Sequence, residues 1–220
     1  MLTYEQGNEI YDMGDYQRAF NIFFPLAESG DVRAQISVAS MYLSGMGIPQ
    51  SLTEAMKWYR PAANQGHPLA QYSLAIILFD IDPEESIHLL FRAANQNVTL
   101  AQSLLGDIYS GSYNLPGNIQ ESLRDISEAI KWYTKAGEGG FSYAYHRLGE
   151  IFSDGKKTEK DERQSIKYYQ EAAQEGYEPS QEVLGRAYAE GLLTLPKDPE
   201  QSRYWFTQAR EGNGMPLNRP

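Results

Sequence analysis

The sequence predicts an all-α fold, an α/α solenoid of about six antiparallel helix pairs, and two observations predict it. A turn residue, Gly or Asn, recurs at Gly30, Gly66, Asn97, Gly140, Gly176 and Asn213, at intervals of 36, 31, 43, 36 and 37. An apolar, usually aromatic residue stands eight positions before each: Ile22, Trp58, Leu89, Trp132, Tyr168 and Trp205. Such a period marks one structural unit reused along the chain, its copies burying their apolar faces against each other.

Each unit reads as two helices. The first pair is compact: Tyr4 to Met13, a Gly14-Asp15 turn, then Tyr16 to Ser29. In the second, Ala34, Val38, Ala39 and Tyr42 draw an apolar stripe at helical spacing, and Gly45 and Gly47 break it. Ser51 or Thr53 caps the partner helix, which carries Ala55, Trp58, Tyr59, Ala62 and Ala63 up to Gly66. First helices then return with Ala70, Leu74, Ala75 and Leu78; Ala101, Leu105, Gly106 and Tyr109; Ala144, Leu148, Gly149 and Phe152; Ser180, Leu184, Gly185 and Tyr188. The small residue at the middle position lets two helices approach closely. Second helices repeat Trp132, Tyr133 and Ala136; Tyr168, Tyr169, Ala172 and Ala173; Trp205, Phe206 and Ala209. Short connections make neighbouring helices antiparallel. The reading is one repeat domain over 1–215 and a C-terminal tail over 216–220, with Asn213 to Pro216 as a stop.

Two units depart from the period. Only Asp80 to Asp82 separates the helices of the third, with Pro83 in the first turn of the second helix. The fourth is lengthened by Gly111 to Asp125, containing Asn114, Pro116, Gly117 and Asn118, an insertion that maps to an edge loop. Pro25 and Pro61 fall inside second helices, where each removes a backbone hydrogen bond and is expected to kink the helix.

Composition narrows the class. A chain of 220 residues with 41% hydrophobic and 22% charged residues is globular. A net charge of -10 disfavours nucleic acid and anionic lipid and favours a basic protein surface. Cysteine is absent, which removes disulfides and thiolate chemistry. No basic-then-apolar leader follows Met1, and the densest apolar run, Leu74 to Phe79, is too short to cross a bilayer. A cytoplasmic protein is expected.

The series Ala-x-x-x-Leu-Gly-x-x-Tyr followed by Ala-x-x-Trp-Tyr-x-x-Ala-Ala-x-x-Gly resembles Sel1-like repeats. Its clearest copies are Ala144 to Phe152 with Ser165 to Gly176, and Ala34 to Tyr42 with Ala55 to Gly66. The opening Gly7-Asn8 to Ala19 is similar to a tetratricopeptide repeat, a related helix pair. The resemblance implies a right-handed superhelix with a concave groove, and a role in protein recognition, assembly or signalling. Some bacterial relatives neutralise secreted toxins as immunity proteins. Secreted relatives linked to β-lactam binding have paired cysteines, which this chain lacks.

The motifs of catalysis and metal binding are missing. His67, His88 and His146 lie in different units without metal-ligand spacing, and read as isolated solvent or capping residues. The acidic group Asp80, Asp82, Glu84 and Glu85 reads as a helix N-terminus. Trp58, Trp132 and Trp205 read as core knobs. No catalytic residue, cofactor or metal site is expected. Recognition should lie where units differ while their core repeats. On the first helices those positions are Ile36, Ser40, Tyr72, Ile76, Ser103, Asp107, His146, Glu150, Glu182 and Arg186. Tyr72, Ile76, Asp107, His146, Glu150 and Arg186 are the candidate protein-binding residues, the aromatic and arginine side chains as hot spots and the carboxylates for a basic partner.

The reading is a non-enzymatic protein-binding scaffold or adaptor, with a bacterial immunity protein occluding a toxin or effector as its sharper form. A hydrolase of cell-wall or β-lactam substrates is the competing class; its sign would be a groove joining a nucleophile to a base, which sequence spacing does not supply. A self-association module is the third. The oligomeric state is open.

Overall fold

The computed structural model describes residues 2–113, 123–156 and 158–211, all helix, turn and connection with no strand among them. Among the described residues, twelve helices of nine to thirteen residues follow in order: α1 Tyr4–Asp12, α2 Tyr16–Glu28, α3 Val32–Ser44, α4 Leu52–Asn64, α5 Pro68–Leu78, α6 Pro83–Ala94, α7 Thr99–Ser110, α8 Ile126–Glu138, α9 Ser142–Asp154, α10 Glu162–Gln174, α11 Glu178–Glu190 and α12 Pro199–Glu211. The chain forms two compact units, Met1–Ala101 and a second beginning at Gln102. In the first, each of α1 to α6 packs on its neighbour in sequence, and in the second so do α8 to α12. That is the packing of an all-α repeat solenoid.

The starts and stops of the hairpins explain the period. Second helices open on a side-chain cap: Asp15, Ser51, Asp82, Asp125, Asp161 and Asp198 each accept from backbone N–H groups two or three residues on. Asp82 thus accounts for part of the acidic group before α6. Second helices close on a repeated pair of bonds. In α4, Gly66 N–H donates to the Ala63 carbonyl and His67 N–H to the Ala62 carbonyl, and the same pair follows α2, α6, α8 and α10. This cap needs a left-handed residue at its corner. Gly66 has φ 92° and Asn97, at the same place after α6, has φ 63°. The recurring turn residues are these corners, while Asn213 lies outside the described residues.

A second clamp ties four of the hairpins at the turn between their two helices. The N–H of Ser51, Asp125, Asp161 and Asp198 donates to the carbonyl of Tyr42, Tyr109, Phe152 and Tyr188 respectively, at 2.8–3.1 Å. The clamp from Asp125 to Tyr109 closes the base of the long insertion, so extra residues enter without changing the helix pair. The insertion's Asn114, Pro116, Gly117 and Asn118 lie outside the described residues, as does the tail from Asn213.

The core is aromatic on small. A Cβ built on Gly106 would stand 2.6 Å from the Tyr133 ring, on Gly149 2.7 Å from Tyr169, and on Gly185 2.9 Å from Phe206. The small middle position of the first helix is therefore a seat for an aromatic ring of the second. The deepest rings sit one residue past the positions that mark the period: Tyr59 is 3%, Tyr133 0% and Tyr169 4% exposed. Trp132 and Trp205 are buried beside them, whereas Trp58 is half-buried, with its ring 5.4 Å edge-on to Phe24. Helices α2 and α4 continue unbroken through Pro25 and Pro61 into their last turn.

Candidate protein-binding site

The second unit gathers the expected residues Asp107, His146 and Glu150 around an arginine, Arg147, that the sequence reading did not single out. Asp107 projects from α7, where its Oδ1 accepts from the Tyr133 hydroxyl at 2.6 Å and from the Tyr143 hydroxyl at 2.9 Å. Arg147 Nε lies 3.7 Å from the same oxygen and donates to the Tyr133 hydroxyl at 3.4 Å. Its terminal nitrogens donate to Glu150, one turn on along α9, and to Ser112, at the start of the long insertion. Asp107 and Arg147 side chains are 17% and 20% exposed, while Glu150 is 43% exposed and forms the open edge of the cluster.

The electrostatics lock these roles. Burial, then the Asp107 charge and hydrogen bond, push the hydroxyls of Tyr133 and Tyr143 far above the ordinary tyrosine range, so both remain donors. Burial opposes the Arg147 charge, but Tyr133, Glu150 and Tyr143 outweigh it and the guanidinium is held more firmly than usual. Glu150 is lowered, first by His146 and then, against burial, by Arg147. Asp107 is one of the two carboxylates expected to offer charge to a basic partner. Its carboxylate is spent on two tyrosines and an arginine inside the protein, and Glu150 is the carboxylate left facing out.

His146 also departs from the isolated role expected of it. Its ring is 12% exposed and packs 5.4 Å from Tyr169 and 5.1 Å from Tyr177. Nδ1 is 2.8 Å from the Ser180 hydroxyl and Nε2 is 3.6 Å from Glu150 Oε1. Serine, histidine and glutamate thus line up as a nucleophile, base and acid would, although they are 30 or more residues apart across Ser180 and His146 and invisible as a motif. Ser180, however, is 0% exposed and fills the place that Ala34, Ala70 and Ala144 fill in other repeats. A hydroxyl sealed in the helix joint has no path to a substrate. His88 is exposed on α6, and His67 stands at the start of α5 without a side-chain cap bond.

The other expected residues fall elsewhere. Tyr72 and Ile76 lie together on α5 of the first unit, Tyr72 half-buried and Ile76 42% exposed. Arg186 is exposed on α11, paired at 3.4 Å with Glu182 of the same helix. Arg147 carried a signal that the sequence reading passed over. Three residues past the helix's lead alanine, the other repeats carry Ser37, Ser73, Leu104 and Val183, so an arginine there is out of pattern.

The Sel1 repeat model matches residues 32–67, 68–98, 99–141, 142–177 and 179–214. The chain belongs to the Sel1 repeat family. A crystal structure of a Sel1 repeat protein from Oxalobacter formigenes is 32% identical, covers 96% of this chain and 85% of its own, and superposes with a TM-score of 0.82. A protective antigen present in uropathogenic Escherichia coli, c5321, is 28% identical over 96% of this chain and 49% of its own, with a TM-score of 0.81. A sel1-like repeat-containing protein of Acanthamoeba polyphaga mimivirus is 31% identical over 61% of this chain and 24% of its own length. The immunity protein PA5088 of Pseudomonas aeruginosa, 15% identical over 94% of this chain and 81% of its own with a TM-score of 0.59, shares the fold. The chain spans 24% to 35% of the length of the first curated relatives it matches. The α1–α2 hairpin precedes the matched Sel1 repeats. Among the described residues, no helix is long and apolar enough to cross a membrane.

Proposed function

We propose that this Sel1 repeat protein is a non-enzymatic protein-binding scaffold that uses the variable face of its first helices. The observation that carries it is the division of labour in the repeat. Core places are refilled by alanine, leucine, glycine and tyrosine, while the places around Tyr72, Ile76, His146, Glu150 and Arg186 change from unit to unit and keep some surface. The Arg147 cluster supports this reading because it holds Glu150 in a fixed position before any partner arrives, which lowers the ordering cost of binding. The sharper form is an immunity protein that occludes a basic toxin surface, and the net charge of -10 is its support.

The test is capture of partners from native cell extract on the immobilised full chain, compared with Glu150→Lys and Arg186→Glu. A stoichiometric protein retained by the wild type and lost with Glu150→Lys is the expected result. Absence of any stoichiometric partner across a salt series rejects the scaffold. The immunity form predicts a secreted-toxin gene immediately beside this one, whose product loses its toxicity on co-expression with this chain; undiminished killing rejects it. The Ser180, His146 and Glu150 line keeps hydrolysis as a second reading. It predicts saturable turnover of p-nitrophenyl esters abolished by His146→Gln. Its failure is expected, since the Ser180 hydroxyl is enclosed. A self-association module predicts a mass rising with concentration in light scattering, and a persistent monomer counts against it.

A further inference from the structure

The repeat supplies its own control for one surface in the first unit. Helix α5 places Leu69, Tyr72 and Ile76 at i, i+3 and i+7, hence on one face, and the turn that continues the helix brings Asp80 a further four residues on. Leu69 is 54% and Ile76 42% exposed. At the place of Ile76 the other first helices carry Ser40, Asp107, Glu150 and Arg186, and at the place of Tyr72 they carry Ile36, Ser103, His146 and Glu182. The helix pair therefore folds with serine, a carboxylate or arginine at the Ile76 position, and packing of the repeat does not require an isoleucine there. The apolar face ends in charge. Asp80 and Glu84 are exposed, and no ion pair reaches either among the described residues, whereas nearby Glu85 is spent on Arg60. From Leu69 to Asp80 the face runs about 16 Å along the helix axis, three turns, and Glu84 follows in the first turn of α6.

The geometry points to a docking surface on α5 for a partner's amphipathic helix of about three turns that carries lysine or arginine at one end. This rests on the protein-binding reading and gives it a partner class. Apolar side chains of the partner at i, i+3 or i+4 and i+7 cover Leu69, Tyr72 and Ile76, and the basic end meets Asp80 and Glu84. A helix that is apolar along its whole length leaves the two carboxylates desolvated and unpaired, and one with an acidic end is repelled, so the acidic corner sets the direction in which the partner lies.

The test is selection of a displayed library of 14-residue peptides against the full chain, with affinities of the selected peptides read by fluorescence anisotropy. Selected peptides should show the apolar spacing with Lys or Arg at one end. Ile76→Ser, which installs the residue of Ser40, should weaken them by about tenfold or more while the melting curve is kept. Asp80→Asn with Glu84→Gln should weaken them by about fivefold and flatten the salt dependence between about 50 and 300 mM. Failure to select any peptide, peptides without the basic end, or equal affinity for Ile76→Ser overturns the proposal. Self-association that Ile76→Ser abolishes makes a second copy the occupant and overturns it too. If selected peptides are instead lost with Glu150→Lys and kept with Ile76→Ser, the α5 surface fails while the scaffold reading stands. If no native partner is captured, the scaffold reading falls by its own test.

Discussion

Tyr145 stands where the other first helices carry Gln35, Gln71, Gln102 and Gln181. The amides of Gln35, Gln71 and Gln181 donate to the carbonyls of Ala27, Ala63 and Ala173, in the last turn of the preceding helix, at 3.0–3.3 Å. Tyrosine cannot reach back in that way, and the matching residue is Gly137, whose absent Cβ would lie 2.5 Å from the Tyr145 ring. The two exceptions are one compensated pair. Gly137→Ala alone should destabilise the protein by about 1 kcal/mol net, overpacking of about 1–3 exceeding the helix propensity gained. In the background of Tyr145→Gln the same change should stabilise by about 0.5–1 kcal/mol, because the clash is gone and the alanine preference remains. Urea unfolding of the four proteins checks the sign change. Around the Arg147 cluster, Glu150 carries a pH signature. Its carboxyl is held below its ordinary value near 4.5, so the stabilisation it contributes is present above that value and is lost as pH falls through the lower, folded-state value. The stability gap between wild type and Glu150→Gln should be widest near neutrality and close under acid. A gap unchanged from pH 7 to about pH 3 would show that Glu150 is unpaired in solution. The sequence pointed to Asp107, His146 and Glu150 through their variability, but not to what they do. Their contacts join α7, α9 and α11 across 30 or more residues, and the arginine between them stands in a slot that holds serine, leucine or valine in the other repeats.

At the scale of the element, the helix pair was legible because its punctuation is local. A left-handed corner and a side-chain cap are each set by one or two residues, and both recur at a fixed spacing. The ring seats were read only to within one position. The Trp or Tyr that marks the period is the more visible residue, yet the ring pressed on Gly106 or Gly149 is the tyrosine after it. Periodicity of about 100° per residue cannot separate two neighbours that both face inward. The two kinds of glycine should fail for different reasons. Gly66 has nothing within 4 Å of a would-be Cβ, so Gly66→Ala should cost about 1–2 kcal/mol from the backbone alone. Gly66→Asn should cost less, since Asn97 already takes that conformation at the same corner. Gly149→Ala instead meets the Tyr169 ring, and Tyr169→Leu should relieve it while Gly66→Ala has no such rescue. Melting temperatures of these variants separate the two causes.

At the scale of the whole molecule, the contact order is a chain of neighbours. Within the second unit α9 packs on α8 and α10, and α11 on α10 and α12. Stability in such an architecture is a sum of hairpin terms and nearest-neighbour interfaces, so damage should spread by one interface and fade. A single globular core would instead unfold as one body and loosen everywhere at once. Gly149→Ala, which forces apart α9 and α10, distinguishes the two outcomes by deuterium exchange followed along the chain. Exchange should rise in α9 and α10, rise less in α8 and α11, and stay at wild-type rates in α1 to α4. Uniform acceleration through both units would mean that the hairpins are not the cooperative elements. It would also undo the reasoning behind the two surfaces, because a face on α5 and a cluster on α9 serve separate contacts only if each is held by its own hairpin and the ones beside it.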